Sequence, residues 1–306
     1  MPLVNHRTAL GASALTVAGA TTLGWALVEA HLFKLRFAEV AVLPAGSAPR
    51  SILHLSDLHM TPRQEDKQRW VTALARLDPD LVVVTGDFLA HRRAVPTVLE
   101  TLAPLLAKPG FFTLGSNDYL APRPFNPLRY LRGPSPLDAG RAILPWGDLV
   151  AGLTGYGWLD LDNRATRLDL PGWSIDARGV DDPHIERDRY EAVAGRFDSN
   201  VTLKLGVTHA PYRRVLGAMA GDGADLILAG HTHGGQVCLP GYGAIITNCD
   251  LDRKRAKGLS TYSGSGLHGP HTSALHVSAG VGASPYSPIR FFCPPEATLL
   301  TLTANS

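Results

Sequence analysis

Short apolar runs recur along the chain, and each stops at a small or hydroxylated residue. Ser51–Leu55, Leu81–Thr85, Gly110–Leu114, Thr202–Val207 and Leu226–Ala229 are near-continuous blocks of aliphatic, β-branched and aromatic residues, the pattern of strands buried on both faces. A helix within Gln64–Leu77, ended by Asp78-Pro79, joins the first two runs into a βαβ unit. A second unit passes through Val95–Leu106 to Phe111–Leu114. Gly157–Leu161, Arg167–Leu170 and Ser174–Gly179 read as antiparallel strands closing at Val180-Asp181-Asp182-Pro183, and Ala244–Thr247, Leu275–Ser278 and Ala297–Leu302 as strands that complete a second sheet. Pro122–Pro145 is rich in Pro and Arg without clean periodicity, so it reads as a long excursion near the mouth of a site.

The residues just past each strand matter more than the strands themselves. The first five runs lead into Ser56-Asp57-Leu58-His59, Gly86-Asp87, Gly115-Ser116-Asn117-Asp118, Thr208-His209 and Gly230-His231-Thr232-His233. A single Asp or Asn after a strand is ordinarily a turn former or helix cap. Five such ends offering metal-ligating side chains instead predict a site beyond the carboxyl ends of the strands. Asp57, His59, Asp87, His209, His231 and His233 mix carboxylate with imidazole and include no cysteine, a set that suits Mn, Fe, Zn or Co. So many ligands exceed one tetrahedral ion and fit two divalent metal ions about 3.5–4 Å apart, which predicts metal-assisted hydrolysis of a phosphoester.

In these blocks the chain resembles the calcineurin-like metallophosphoesterases, over roughly Arg50 to Leu302. The blocks that carry the resemblance are Asp57-Leu58-His59, Gly86-Asp87, His209 and Gly230-His231-Thr232-His233, in the family's order. The resemblance implies an α/β fold, a four-layer αββα sandwich of two mixed sheets with helices outside. It implies that Asp57, His59 and His233 hold a first ion, that Asp87 bridges, and that His209, His231 and an Asn hold a second. It also implies attack on phosphorus by a metal-bridging hydroxide, with Asp87, Asn117 and His209 as catalytic residues.

One block departs from the pattern. Aligned without a gap, Ser116 stands where the family has its ligand Asn, and Asn117 where it has the His that assists the leaving group. Shifted by one residue, Asn117 itself is the ligand, the preferred reading because an amide oxygen binds such ions far better than a neutral hydroxyl. Either way no His occupies the acid position, which predicts a preference for activated esters or anhydrides. His184, after the Asp-Asp-Pro turn, is the first candidate for a substitute acid. Two alternatives stand beside the hydrolase: a phosphodiesterase or pyrophosphatase on lipid-linked or nucleotide substrates, and a metal-binding surface protein whose Ser116-Asn117 change has cost it catalysis.

Composition narrows the partners. Net charge is +2, too near neutral to suggest nucleic acid, so the expected partner is a phosphorylated small molecule or lipid. Arg92 and Arg93 are the better candidates for steering an anion, although solvated loop charge is the commoner role. Thr8–Val28 has no charged residue and is about as long as a bilayer span. It predicts an N-terminal hydrophobic helix, with 1–36 an anchor or signal segment and 37–306 the catalytic domain. An uncleaved single-pass anchor that holds the domain at the cell membrane facing outward is the preferred reading, beside a cleaved signal peptide with Ala18-Gly19-Ala20 as its small-residue site and a soluble helix packed on the domain. Because the candidate ligands run from Asp57 to His233, one site ties that domain together. Cys238, Cys249 and Cys293 have no metal-ligand spacing; two could pair outside the cytoplasm, or all could be buried thiols. His54, inside the first strand, reads as a satisfied core residue.

Overall fold

The computed structural model describes residues 19–124, 140–266 and 269–305. Residues 19–29 are helical (α1). There follow β1 (Lys34–Leu43), β2 (Arg50–Leu55), α2 (Glu65–Ala73), β3 (Leu81–Thr85), α3 (Val95–Leu106), β4 (Gly110–Thr113), α4 (Ser116–Tyr119), α5 (Trp146–Gly155), β5 (Leu159–Asp160), β6 (Arg164–Leu170), β7 (Trp173–Gly179), β8 (Leu203–Val207), α6 (Arg213–Gly221), β9 (Leu226–Ala229), β10 (Cys238–Leu239), β11 (Gly243–Ala244), β12 (Gly258–Gly266), β13 (Gly269–Val277) and β14 (Glu296–Ala304).

Two mixed six-stranded sheets form, in the orders β1-β14-β2-β3-β4-β5 and β12-β13-β9-β8-β7-β6. β2, β3, β4 and β5 run parallel, as do β7, β8, β9 and β13, so the candidate ligand loops emerge at the carboxyl ends of parallel strands in both sheets. The period-2 alternation of strand side chains builds the layers. Ile52, Leu81, Val83 and Phe111 point inward and pack on Ile175, Leu203, Leu205, Val207, Leu226 and Leu228 of the facing sheet. Their neighbours Leu53, Leu55, Val82, Val84 and Phe112 point outward, against Val71 of α2, Val98 and Leu102 of α3, and Leu149 and Leu153 of α5. Ile227, Leu275 and Val277 do the same on the second sheet, against Val215, Leu216 and Met219 of α6. Helix, sheet, sheet and helix are thus stacked in the expected order.

Several expectations change. Lys34–Leu43, divided in the sequence reading between anchor and domain at residue 36, is one strand that pairs in parallel with β14. Its first residues therefore belong to the sheet. Ala244–Thr247 gives no strand of the second sheet: only Ala244 is extended, in the small β10–β11 hairpin that Pro240-Gly241 turns back. Most of the Pro122–Pro145 excursion lies outside the described residues, as do residues 8–18 of the uncharged Thr8–Val28 stretch. Among the described residues no helix is long and apolar enough to cross a membrane.

The described part of α1 is docked on the body. Ala26 is buried and its carbonyl accepts from Arg290 N at 2.9 Å. The buried Glu29 carboxylate accepts from Phe292 N at 3.0 Å and Cys293 N at 2.6 Å. His54 is a core residue: it lies between the sheets, with Nδ1 2.8 Å from His276 Nδ1 and Nε2 3.0 Å from Thr85 Oγ1.

Candidate metal centre

The strand ends bring their polar residues to one place by taking up left-handed backbone. Asp57, His59, Asp87, His231 and His233 all have positive φ, from 42° to 69°. A residue with a Cβ enters that region at a cost of roughly 1–2 kcal/mol, and such strain gathers at functional sites. Hydrogen bonds hold the conformations: Asp57 N donates to Gly86 O, and His59 N to Asp87 O, each at 2.9 Å. Two glycines are required by space. Gly86 has φ +76° and a Cβ there would lie 2.7 Å from His209 Nδ1, while a Cβ on Gly115 would overlap Asp87 Oδ1.

The side chains converge in two overlapping groups. Ligand atoms of Asp57, His59 and His233 lie within 4.8 Å of one another, as do those of Asp57, Asp87 and His209. Asp87 Oδ2 is 3.5 Å from His59 Nε2 and 3.5 Å from His209 Nε2, so one carboxylate oxygen stands between the two groups. Asp57 Oδ2 accepts from Ser56 Oγ at 2.6 Å and from His231 N at 3.0 Å. Its other oxygen, Oδ1, faces His233 Nε2 at 3.6 Å and has no hydrogen-bond partner among the described residues. His209 Nδ1 donates to Thr85 O at 2.7 Å, which leaves Nε2 with its lone pair toward Asp87. That nitrogen is also buried, with no hydrogen-bond partner among the described residues. Orphaned buried acceptors are costly in a folded protein, and here they point at a common centre, so the residues present fit bound cations.

Electrostatics support the same conclusion. Burial raises the Asp57 carboxyl to about 6, offset in part by the His209 ring. Burial also lowers His59 to about 4. Burial acts to raise Asp87 too, but the adjacent His209 and His59 rings and the Asn117 hydrogen bond outweigh it and hold this carboxyl well below its usual range. Asp118 is raised to about 8, first by burial and then by the Asp87 charge. It accepts from Gly115 N and Leu89 N, both at 2.9 Å, and so braces the loop.

His231 and Asn117 are placed differently from the others. His231 Nε2 lies 3.1 Å from Asn248 O, and its ring is 5.2 Å from that of His209. Asn117 is bound to Asp87 by both its nitrogens: N donates to Oδ1 at 2.8 Å and Nδ2 to Oδ2 at 2.7 Å. Its carbonyl oxygen accepts from Arg141 Nη2 at 2.9 Å. Arg141 thus sets the orientation of the amide, with the oxygen turned from Asp87. Ser116 is buried beside it.

His184 joins the cluster. Its ring centroid is 4.6 Å from that of His231, Nδ1 is 3.1 Å from Tyr212 Oη, and its backbone N donates to Asp182 Oδ1 at 2.9 Å. Burial lowers the ring to about 4, with the neighbouring His209 ring adding to the effect. Asp182 behaves as the turn residue expected from Asp-Asp-Pro, yet its Oδ2 is buried without a hydrogen-bond partner among the described residues, and burial raises the carboxyl to about 7. Arg92 and Arg93 are exposed at the surface.

Arg290 escaped sequence reasoning. It is fully buried, and its guanidinium donates to His233 O and Ala279 O at 2.8 Å, to Gly282 O at 2.5 Å and to Gly280 O at 3.3 Å. Nη2 also lies 3.0 Å from His233 Nδ1. A lone Arg inside Ile289–Phe292, a run otherwise apolar, was the available signal, since a charge in such a run is usually paired. Lys67 is similarly buried, donating to Leu58 O and His59 O, and burial brings it down to about 7. Arg141 and Tyr212 carried no signal, because only the folded chain brings them to Asn117 and His184.

Comparison with known proteins gives a consistent picture. Residues 50–235 match the calcineurin-like phosphoesterase family. The chain is 25% identical to the uncharacterised metallophosphoesterase YkuE of Bacillus subtilis, covering 97% of this chain and 95% of YkuE. It is 26% identical to the phosphodiesterase YaeI of Escherichia coli, covering 98% of this chain and all 100% of YaeI. Among solved structures, TT1561 of Thermus thermophilus is similar with a TM-score of 0.42 and 14% identity, over 76% of this chain and 90% of that one.

Proposed function

This chain belongs to the calcineurin-like phosphoesterase family and hydrolyses phosphoester bonds, and from that premise we propose a two-ion phosphohydrolase selective for diesters or anhydrides with good leaving groups. The observation that carries the two-ion reading is Asp87 Oδ2, equidistant at 3.5 Å from His59 Nε2 and His209 Nε2. Asp57, His59 and His233 would hold one ion, His209, His231 and Asn117 the other, with Asp87 shared. Divalent ions bound there supply Lewis acidity toward phosphorus and an activated water nucleophile. The preference for diesters draws support from YaeI, named a phosphodiesterase.

The chain's own groups do the rest. Thr85 O fixes the His209 tautomer, and the Ser56 hydroxyl and His231 N orient Asp57. Asn117 donates to Asp87 and so holds the shared carboxylate in place. His184, its ring 4.6 Å from that of His231, is the added imidazole we assign to serve a departing oxygen. Where the Tyr212 hydroxyl, 3.1 Å away, is the donor to Nδ1, Nε2 carries the hydrogen, and no partner for it is found among the described residues. A neutral imidazole donates a hydrogen bond but gives up its proton poorly, which matches a preference for leaving groups that need little protonation.

The test is a substrate panel with added Mn²⁺: a bis-aryl diester, an aryl monoester, an alkyl monoester and a pyrophosphate. Hydrolysis of the diester or anhydride, lost in Asp87→Asn and His209→Ala, supports the proposal. Metal binding without turnover of any of the four would favour the metal-binding surface protein. We also propose that the domain faces outward from the cell membrane. The support is the uncharged stretch Thr8–Val28 in the sequence, and cell fractionation with protease accessibility tests it.

A further inference from the structure

Two thiols meet behind the loop that carries His233. Cys238 Sγ donates to Gly234 O at 3.2 Å. Cys293 Sγ lies 3.5 Å from the same oxygen and 3.3 Å from His233 O. Both sulfurs thus converge on one carbonyl oxygen, and both are buried in a single small cluster with Ala244, Ala256 and Ala279. The backbone brings them together: Val237 and Phe291 form a parallel bridge, Cys238 N donates to Phe291 O at 2.8 Å, and Phe291 N to Gln236 O at 3.0 Å. Cys293 is anchored in turn by Glu29 of α1, through its backbone N at 2.6 Å. Lys257 Nζ stands 3.5 Å from Cys293 Sγ. Cys249 belongs elsewhere, half-buried against the core packed around α6.

We propose that Cys238 and Cys293 are a redox pair, and that their disulfide staples the metal-ligand loop to the segment 290–293. No part of the family's hydrolytic chemistry uses these sulfurs. The oxidant is a small disulfide such as glutathione disulfide. The Cys293 sulfur, having lost its proton, attacks one sulfur of the reagent; the reagent's S–S bond breaks and one glutathione leaves as thiol. The Cys238 sulfur then attacks the Cys293 sulfur of the mixed disulfide, forming the Cys238–Cys293 bond and releasing the second glutathione. Two protons and two electrons pass from the protein to the reagent. Oxidation removes both thiol donors from Gly234 O, while His233 O keeps Arg290 Nη1 at 2.8 Å. The staple replaces those two weak bonds with a covalent one, so the loop keeps its place by a different connection.

The test equilibrates the full chain in glutathione buffers of graded ratio, then denatures, alkylates and maps peptides by mass. The expected result is a single linked pair, the peptides holding Cys238 and Cys293, with Cys249 alkylated throughout. The thermal midpoint of the oxidised protein should rise by several degrees, and the rise should be absent in Cys238→Ser and in Cys293→Ser. If both thiols remain alkylatable at the most oxidising ratio in protein that circular dichroism shows folded, the proposal is overturned. Linkage of either one to Cys249 overturns it as well. Wild-type mapping decides the matter even where a serine variant fails to fold.

Discussion

Replacing Arg290 with Ala tests whether the metal loop is held from behind. The guanidinium serves four carbonyl oxygens, yet they are not equally dependent on it. Gly280 O also accepts from Glu296 N at 2.9 Å, and His233 O keeps the Cys293 thiol at 3.3 Å. Ala279 O and Gly282 O lose the donors described for them. Leaving a buried carbonyl unserved costs about 1–3 kcal/mol, so two of them set a loss of about 4 kcal/mol. Against that, the variant no longer buries a charge whose Nε has no partner among the described residues, which brings the expected net loss to about 3 kcal/mol. Urea unfolding of the metal-free protein reads this directly. Metal titration by calorimetry should show affinity lowered by roughly 10–100-fold, the usual cost of removing a group that orients a ligand. Arg290→Lys should fall between, since one ammonium cannot span a fork of carbonyls. An Ala variant with wild-type urea midpoint and wild-type metal affinity would refute the reasoning.

Asp87→Asn should abolish turnover and reduce bound metal from two equivalents to one or none by elemental analysis, because the shared carboxylate oxygen is lost. Calorimetry of the wild type should resolve two binding events of unequal affinity, since His231 and Asn117 must first leave Asn248 and Arg141; two identical events would contradict this. His184→Gln should slow alkyl esters by roughly 100-fold while aryl diesters change little, a split that equal losses on both would exclude. Burial places His276 at about 4 against 6.5 for the unfolded chain, so the folded protein binds fewer protons between those values. Stability should be fully present above pH 6.5 and fall as pH drops toward 4, by about 3 kcal/mol for this group. His276→Asn should flatten the slope of urea midpoints between pH 7 and pH 4.5, and an unchanged slope would count against the assignment.

The parts of this molecule that could be read from its sequence are those encoded locally. Leu81–Thr85 is a buried run and emerged as a strand with the same bounds, because four consecutive aliphatic residues ended by a β-branched Thr satisfy both faces of a covered sheet. The strand-end motifs were legible for the same reason: each ligand sits within a few residues of the strand that presents it. Lys34–Leu43 was divided because its alternation of charged and apolar residues describes an edge strand only once β14 lies beside it. Gly258–Gly266 carries Ser, Thr and Gly in place of a hydrophobic run, and its strand form comes from β13 and α6. Arg290 and Arg141 act across the chain, and no spacing in the sequence announces which carbonyl or amide a distant Arg will reach.

That distinction between local and distant also divides the metal centre. On the His233 side, Asp57, His59 and His233 are brought within 4.8 Å by strand ends, left-handed turns and the Arg290 fork, with no rearrangement needed. On the His209 side the strand ends place Asp87 and His209, with Asp57 reaching across from the first group, and among the described residues neither His231 nor Asn117 joins that group. His231 faces Asn248, and the Asn117 oxygen faces Arg141, which itself donates to Leu120 O and Ala121 O from the described C-terminal end of the 122–145 excursion. The departure from the family pattern at Ser116-Asn117 falls on this second side, where the groups that finish the site come from loops and not from the sheets. The scaffold therefore dictates the first half of the centre, while the loops around Arg141, His184 and Asn248 govern the second. Differences in substrate choice within this fold should accordingly follow residues on those loops, because there the chain can vary without disturbing either sheet.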